Sequence, residues 1–159
     1  MKSLEPLAHE IARKLMARRE TVVVAESSSG GLISAALLSV PGASAYYIGG
    51  AVVYTARARA AMAQIDRLDV EGMRSASEPY AALLADRTRR LMRADWGLAE
   101  TGAAGPTGNP YGDAAGHSCL AVSGRRALAR TLETGDADRP GNMRRFARAA
   151  LELLDEALE

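Results

Sequence analysis

Apolar positions in the first part of the chain change from helical spacing to a short continuous run. From Leu4 to Met16 they recur every three or four residues, which predicts a surface helix with one buried face. The run Thr21–Ala25 is continuous and β-branched, as is typical of a strand covered on both faces. A polar, glycine-containing turn follows at residues 26–31, and then an apolar segment predicts a helix that ends before Pro41. This order indicates a β-α unit.

The rest of the chain continues the alternation of strands and helices and then adds a hairpin. The sequence contains no repeat and no linker, so we predict a single domain over residues 1–159, with helices on both faces of its sheet. The predicted elements are a strand at Tyr46–Tyr54, helices at Ala56–Gln64 and Ser77–Arg93, a strand at Trp96–Glu100, a hairpin of His117–Val122 and Ala127–Leu132, and a closing helix capped by Asn142.

Composition narrows the class of function. The net charge of +1 gives no global field that would attract nucleic acid, and no apolar stretch reaches 18 residues. We therefore expect a cytoplasmic protein with neither a nucleic-acid nor a membrane partner. The single cysteine, Cys119, excludes an internal disulfide, and no His, Cys, Asp and Glu residues have metal-ligand spacing, so we expect no bound metal.

The first candidate for chemistry is the turn after the predicted strand at residues 21–25. A hydroxyl at Ser27 would face free backbone N–H groups and the positive end of a helix, which suits a developing oxyanion or a phosphate. Gly30 and Gly31 would let a ligand approach the main chain closely. Spacing alone favours the simpler interpretation, in which Ser27, Ser28 or Ser29 caps the helix.

A second glycine-rich loop begins at Thr101 and Gly102, which could hold phosphate or ribose or form a plain surface turn. If the strands before the two loops are parallel neighbours, both loops open at the sheet edge where such folds bind ligands. Tyr54 ends a strand near that edge and is either a phenolic donor or a packing residue. His117 fits a hydrogen-bonded strand residue better than a base.

Taken together, four segments in order resemble the C-terminal domain of the CinA family over nearly the whole chain. The resemblance implies a three-layer α/β/α fold with a mixed, mostly parallel sheet, and self-association into a homo-oligomer. The segments are AESSSGGLISAALLSVPGAS, similar to the family's A-E-S-C-T-G-G with a helix and V-P-G-S-S; GGAVVYT, similar to G-F-V-T-Y-S; ASEP, similar to V-S-E-E; and TGAAGPTG, similar to T-G-I-A-G-P-x-G.

Enzymatic members of that family hydrolyse the carboxamide of nicotinamide mononucleotide to nicotinate mononucleotide and ammonia, without a metal or cofactor. The resemblance implies Ser27 as the nucleophile that forms an acyl-enzyme, with oxyanion donors from the helix start. Tyr54 matches the family tyrosine. Residues implied to bind this pyridine nucleotide are Ser28, Ser29, Gly30, Gly31, Thr101, Gly102 and, near the phosphate, Arg145, with Arg144 as the competing choice.

One catalytic position departs from the family pattern. The family has lysine five residues after the tyrosine, to deprotonate the serine, and this chain has Arg59 there. Guanidinium groups stay charged at neutral pH and cannot act as general bases. Either Tyr54, Glu26 or His117 accepts the proton instead, or the protein binds a nucleotide without hydrolysing it. In the second case Arg59 would be an anion ligand.

Overall fold

The computed structural model describes residues 2–159 and has five helices and five strands in the predicted order. A short 3-10 turn at Ala43–Ala45 precedes the second strand. The helices are α1 (Glu5–Arg18), α2 (Leu32–Leu38), α3 (Ala56–Ala63), α4 (Glu78–Met92) and α5 (Arg139–Ala157), and the strands are β1 (Val22–Glu26), β2 (Tyr47–Val52), β3 (Trp96–Ala103), β4 (His117–Ser123) and β5 (Leu128–Glu133).

The strands form one sheet in the order β2-β1-β3-β4-β5. Strand β1 is parallel to both neighbours, and β4 is antiparallel to both of its own. The predicted mixed, mostly parallel sheet is therefore confirmed, since all strands except β4 run in one direction. Because β1 and β3 are parallel neighbours, the turn after β1 and the loop after β3 both open at the same edge of the sheet.

Helices cover both faces of this sheet. One apolar cluster packs α1, α2 and α5 against side chains such as Val24, Leu98 and Leu120. The other packs α3 and α4 against small residues of the opposite face, including Ala25 and Ala99. Successive strand residues thus enter different clusters, which explains why β1 is apolar throughout instead of alternating. The predicted three-layer α/β/α sandwich is confirmed.

Strand β3 is three residues longer than the sequence predicts. Thr101, Gly102 and Ala103 remain paired with β4, so they end a strand and do not open a loop. The glycine is required by the close approach of the two strands, because a Cβ atom at Gly102 would lie 2.9 Å from the Cα atom of Ser118. Gly102 therefore has a packing role within β3 that its position in the sequence does not reveal.

Helix α5 also differs from its prediction. It begins at Arg139, three residues before the predicted cap, and Pro140 is accommodated in the first turn, where its missing N–H breaks no helical hydrogen bond. Asn142 lies inside the helix, fully buried. Its side-chain amide donates to the carbonyl oxygens of Ala104 and Asp136, at 2.9 and 2.7 Å, and so ties the helix to the loop after β3.

Within residues 2–159, no helix combines the length and the apolar character needed to cross a bilayer.

Candidate functional site

A cavity with two lobes opens at the edge where β1 and β3 end. The serine lobe has a volume of about 280 Å³ and is lined by residues that include Ser27, Arg59 and Thr101. The glycine lobe has a volume of about 270 Å³ and is lined by Ser28, much of the segment 102–110, and Arg139. Tyr54, Gly102 and Asn109 line both lobes, so the two are adjacent. The structure thus brings Ser27 and Thr101, from two separate loops, to one cavity.

Ser27 has a fixed backbone and a free hydroxyl. Its amide donates to the Oε2 atom of Glu100 at 3.1 Å. Within the part of the chain that the structure describes, its Oγ atom has no hydrogen-bond partner, and the amide of Ser28 has no acceptor. The hydroxyl of Ser27 is therefore available at the cavity, and the neighbouring N–H group of Ser28 is not committed to a protein acceptor. This pair can supply a nucleophile and one oxyanion donor.

The carboxylate of Glu100 holds the serine turn in place. It is fully buried and accepts hydrogen bonds from the Ser28 hydroxyl at 2.5 Å, the Ser29 amide at 2.8 Å and the Ser118 hydroxyl at 3.1 Å, besides the Ser27 amide. These donors replace the water that a buried carboxylate loses. Glu100 was not among the predicted site residues, although a glutamate inside the apolar strand β3 is an available signal.

A second buried carboxylate, that of Glu26, closes the start of α2. It accepts from the amides of Gly31, Ile33 and Ser34, at 2.9, 3.0 and 2.8 Å. The expectation that the helix start supplies oxyanion donors is therefore wrong, because these amides are already bonded. Glu26 itself lines neither lobe, and the structure does not bring it to Ser27 as a base.

Three of the predicted nucleotide-binding residues are structural parts of the turn and line neither lobe. Ser29 is buried, and its hydroxyl lies 2.8 Å from both Glu26 and Glu100. Gly30 and Gly31 have positive φ angles of 65° and 96°, which glycine adopts without strain. These glycines therefore shape the turn and lie outside both lobes.

Thr101 lines the serine lobe but its hydroxyl is already engaged. The side chain lies on the α4 side of the sheet and accepts a hydrogen bond from the amide of Ala76 at 3.3 Å. That contact fixes the segment leading into α4. Of the predicted nucleotide-binding set, Ser28, Thr101 and Gly102 line the cavity.

Tyr54 lies between the two lobes and contacts an arginine that was not among the predicted site residues. The phenol is 57% exposed, and its oxygen accepts from Nη2 of Arg139 at 3.2 Å. The Nη1 atom of the same guanidinium donates to the carbonyl oxygen of Gly105 at 2.6 Å. Arg139 was missed because α5 was expected to begin at Asn142. The signal was present in Asp138-Arg139-Pro140, since proline favours the first turn of a helix.

Arg59, at the family lysine position, lines the same lobe as Ser27. Its side chain is 9% exposed, and its Nε atom donates to the carbonyl oxygen of Ile65 at 3.3 Å. The guanidinium carbon is 5.8 Å from the centre of the Tyr80 ring, a cation–π arrangement. The residue that replaces the lysine is thus held within the cavity and does not point away into solvent.

His117 is a structural anchor. Its Nδ1 atom bonds the carboxylate of Glu133, and its Nε2 atom lies 2.8 Å from the carbonyl oxygen of Ala76. Both partners are acceptors, so the ring needs both protons to bond both. Burial lowers the pKa of His117, but the hydrogen bonds and the charges of Glu133 and Asp113 outweigh it and raise the pKa above its ordinary value. The ring is therefore unsuited to accept a proton from Ser27.

Arg145 lies outside both lobes. Its Nη1 atom pairs with the carboxylate of Asp136 at 2.9 Å, on the exposed side of α5. Arg144 is also exposed and lines neither lobe. The α5 arginine at the cavity is Arg139, which lies six residues before Arg145.

Across residues 2–159, no group of three or more His, Cys, Asp and Glu side chains is arranged so that it could hold a metal ion.

Comparison with known proteins gives one consistent result. The CinA C-terminal domain matches residues 4–158. A CinA-like protein of Anaeromyxobacter sp. (strain Fw109-5) is 38% identical over 158 residues, which cover 97% of this chain and 38% of that protein. A CinA-like protein of Desulfosudis oleivorans is 34% identical over 153 residues, covering 96% and 37%. The chain therefore spans well under half the length of these curated relatives.

Solved structures agree over the whole fold. The competence/damage inducible protein CihA of Agrobacterium tumefaciens superposes with a TM-score of 0.91 at 30% identity, covering 98% of this chain and 96% of that one. A CinA superfamily protein of Klebsiella pneumoniae 700603 superposes with a TM-score of 0.90 at 27% identity, covering 98% and 97%.

Proposed function

Since the chain belongs to the CinA C-terminal domain family, we propose that it deamidates nicotinamide mononucleotide to nicotinate mononucleotide and ammonia through Ser27. The observation that supports this most directly is the unpartnered hydroxyl of Ser27 in a cavity large enough for a small nucleotide. We also propose that the chain self-associates, as the family resemblance implies, which light scattering of the purified protein tests.

The proposed reaction proceeds by acyl transfer. The Oγ atom of Ser27 attacks the carboxamide carbon, and the amide of Ser28 donates to the oxyanion that forms. The C–N bond then breaks, and ammonia leaves with a proton relayed from Ser27. Water hydrolyses the resulting ester, which frees the serine and gives the carboxylate of nicotinate mononucleotide.

The proton from Ser27 has to be accepted by a group other than Arg59. Tyr54 is our candidate, because it shares the serine lobe with Ser27 and its oxygen accepts from Arg139. Tyr54 would act as a relay: its oxygen takes the proton from Ser27 while its own phenolic proton passes to the leaving nitrogen. The hydrogen bond from Arg139 holds the phenolic oxygen in place for this transfer.

We assign the phosphate of the substrate to the glycine lobe. Arg139 is a cation there, and the rest of this lobe is lined by uncharged residues that include Thr107 and Asn109. The phosphate role that the resemblance gives to Arg145 therefore passes to Arg139, because Arg145 lines neither lobe and is paired with Asp136.

The amidase proposal is tested by incubating the protein with nicotinamide mononucleotide and measuring both ammonia and nicotinate mononucleotide. We expect stoichiometric formation of both, and no product from Ser27→Ala. The control variant is Ser39→Ala, at an exposed serine after α2 that lines neither lobe, and it should turn over like the natural sequence. Binding of the nucleotide with no product at any time would refute the amidase.

That last outcome is the second candidate function, a nucleotide-binding protein without turnover. The presence of Arg59 in the serine lobe favours it, because the loss of a general base costs about 10²–10⁴ in rate. In this case nicotinamide mononucleotide raises the melting temperature of the protein while no ammonia appears. Arg59→Lys should then create turnover, and the double variant with Ser27→Ala should remove it again.

A further inference from the structure

Arg59 is a buried cation without an anion. It does not pair with any Asp or Glu carboxylate in residues 2–159, and the one hydrogen bond of its guanidinium is from Nε to the carbonyl oxygen of Ile65. The nearby Asp69 is paired with Arg87 at 2.8 Å. A buried charge without a counterion is costly, so this arrangement is favourable when a ligand supplies the negative charge.

The terminal amino groups of Arg59 are available to such a ligand. In the described chain, every wholly buried side-chain nitrogen or oxygen atom has a hydrogen-bond partner. The unpartnered Nη1 and Nη2 atoms therefore reach open space, and the space that this residue lines is the serine lobe. With Nε bonded to the protein, the two remaining amino groups form a fork that matches the two oxygens of a carboxylate.

The charges that line the cavity also favour an anionic ligand. Of the described residues, Arg59 is the one charged side chain that lines the serine lobe, and Arg139 is the one charged side chain that lines the glycine lobe. Neither arginine has a carboxylate partner. The cavity thus holds one unbalanced positive charge in each lobe, which suits a ligand with one anionic group at each end.

The two lobes differ in the kind of group that they fit. The serine lobe has aromatic walls from Tyr54, Tyr80 and Tyr111, which suit a flat ring with its substituent at Ser27. The glycine lobe offers Arg139 and a loop main chain, which suit a phosphate. A carboxyl group on the ring would therefore share a lobe with Arg59.

We infer that Arg59 makes the serine lobe a carboxylate site, so that the protein binds nicotinate mononucleotide more tightly than nicotinamide mononucleotide. This inference rests on the proposed nucleotide cavity but not on turnover. A protein with this preference retains the acid, either as a slowly released product or as the ligand that it senses. The amide lacks the negative charge that Arg59 requires.

The test compares the two nucleotides by calorimetric titration of Ser27→Ala, in which no hydrolysis can occur. The ligands share ribose and phosphate and differ only in carboxylate against carboxamide. Charge-assisted hydrogen bonds are about twice as strong as neutral ones, so we expect the acid to bind about tenfold more tightly, or ~1.4 kcal/mol. Arg59→Gln in the same background should remove the preference. The matched control is Arg57→Gln, which removes the same charge from an exposed position of α3 and should leave the preference intact.

Each other result counts against the inference. Equal affinity for both nucleotides overturns the carboxylate site and leaves the proposed nucleotide cavity standing. An equal loss of affinity for both ligands in Arg59→Gln assigns Arg59 to the phosphate and also overturns it. If neither nucleotide binds, the proposed function fails together with the inference. Should Arg59→Gln not fold, equal affinity for the two ligands with Arg59 intact still overturns the inference.

Discussion

Removal of the buried carboxylate of Glu100 should damage both the stability of the protein and its site. In Glu100→Ala the amides of Ser27 and Ser29 lose their acceptor and cannot turn to another, because the main chain fixes them. A buried donor without a partner costs about 1–3 kcal/mol, which applies in full to the Ser29 amide, and the partly buried Ser27 amide adds to this loss. The hydroxyl of Ser118 adds less, since it also lies 3.4 Å from the carbonyl oxygen of Thr101.

Glu100→Gln keeps a hydrogen-bond acceptor at this position but removes the negative charge of the carboxylate. Its carbonyl oxygen can take the position that receives both amides, and its NH2 group would then face hydroxyls that can rotate to accept. We therefore expect most of the stability to remain and the backbone at Ser27 to keep its position. Neutral hydrogen bonds are weaker than charge-assisted ones, which limits the expected loss to about 1–2 kcal/mol.

Urea unfolding followed by circular dichroism measures both variants, with nucleotide binding as the second readout. Glu71→Ala serves as the control, because this glutamate is exposed, and the expected change is within about 0.5 kcal/mol. The order of stability should be Glu71→Ala, then Glu100→Gln, then Glu100→Ala. A loss below about 1 kcal/mol in Glu100→Ala, or unchanged nucleotide binding, would refute the view that this carboxylate builds the site.

Two further predictions concern packing and pH. Gly102→Ala should lower the free energy of unfolding measured in urea by about 1–3 kcal/mol, because the new Cβ atom would lie 2.9 Å from the Ser118 Cα atom. The control Gly49→Ala should be close to neutral, because the nearest atom to its Cβ would be 3.8 Å away. Because Glu133 contributes to the raised pKa of His117, the charged ring stabilises the fold fully below about pH 6.5, and this contribution fades as the pH rises through the folded pKa. Glu133→Gln should therefore lower the melting temperature more at pH 6 than at pH 9, and an equal loss at both would contradict the charged pair.

The fold could be predicted because its apolar pattern is local and regular. The continuous run of β1 and the helical spacing of α1 each follow from the burial of one element. The lengths of β3 and α5 could not be predicted in the same way. Thr101 to Ala103 look like loop residues until they pair with β4, and Arg139-Pro140-Gly141 looks like a turn until it opens α5. The error in β3 comes from a partner that is distant in the sequence, whereas the start of α5 had a local signal in Pro140.

The site was predicted in its location but not in its construction. The resemblance and the parallel strands led to Ser27 and Thr101 in one cavity. The two carboxylates of Glu26 and Glu100 were not expected to organise the turn, because isolated glutamates at strand ends usually face solvent. Their burial is possible only with a full set of amide and hydroxyl donors, and several of those donors are turn residues that the family resemblance assigns to a ligand.

This construction separates the geometry of the serine from the charge of the cavity. Glu100 accepts from the amide of Ser27 and, together with Glu26, holds the serine turn on the side of the sheet that α2 covers. Arg59 contacts Ile65 and Tyr80 on the α4 side. A change at position 59 therefore alters the basic group in the serine lobe without removing any hydrogen bond that positions Ser27. For this reason Arg59→Lys should change the chemistry of the cavity while the serine turn stays formed, and a loss of order in that turn would show that the two parts are coupled.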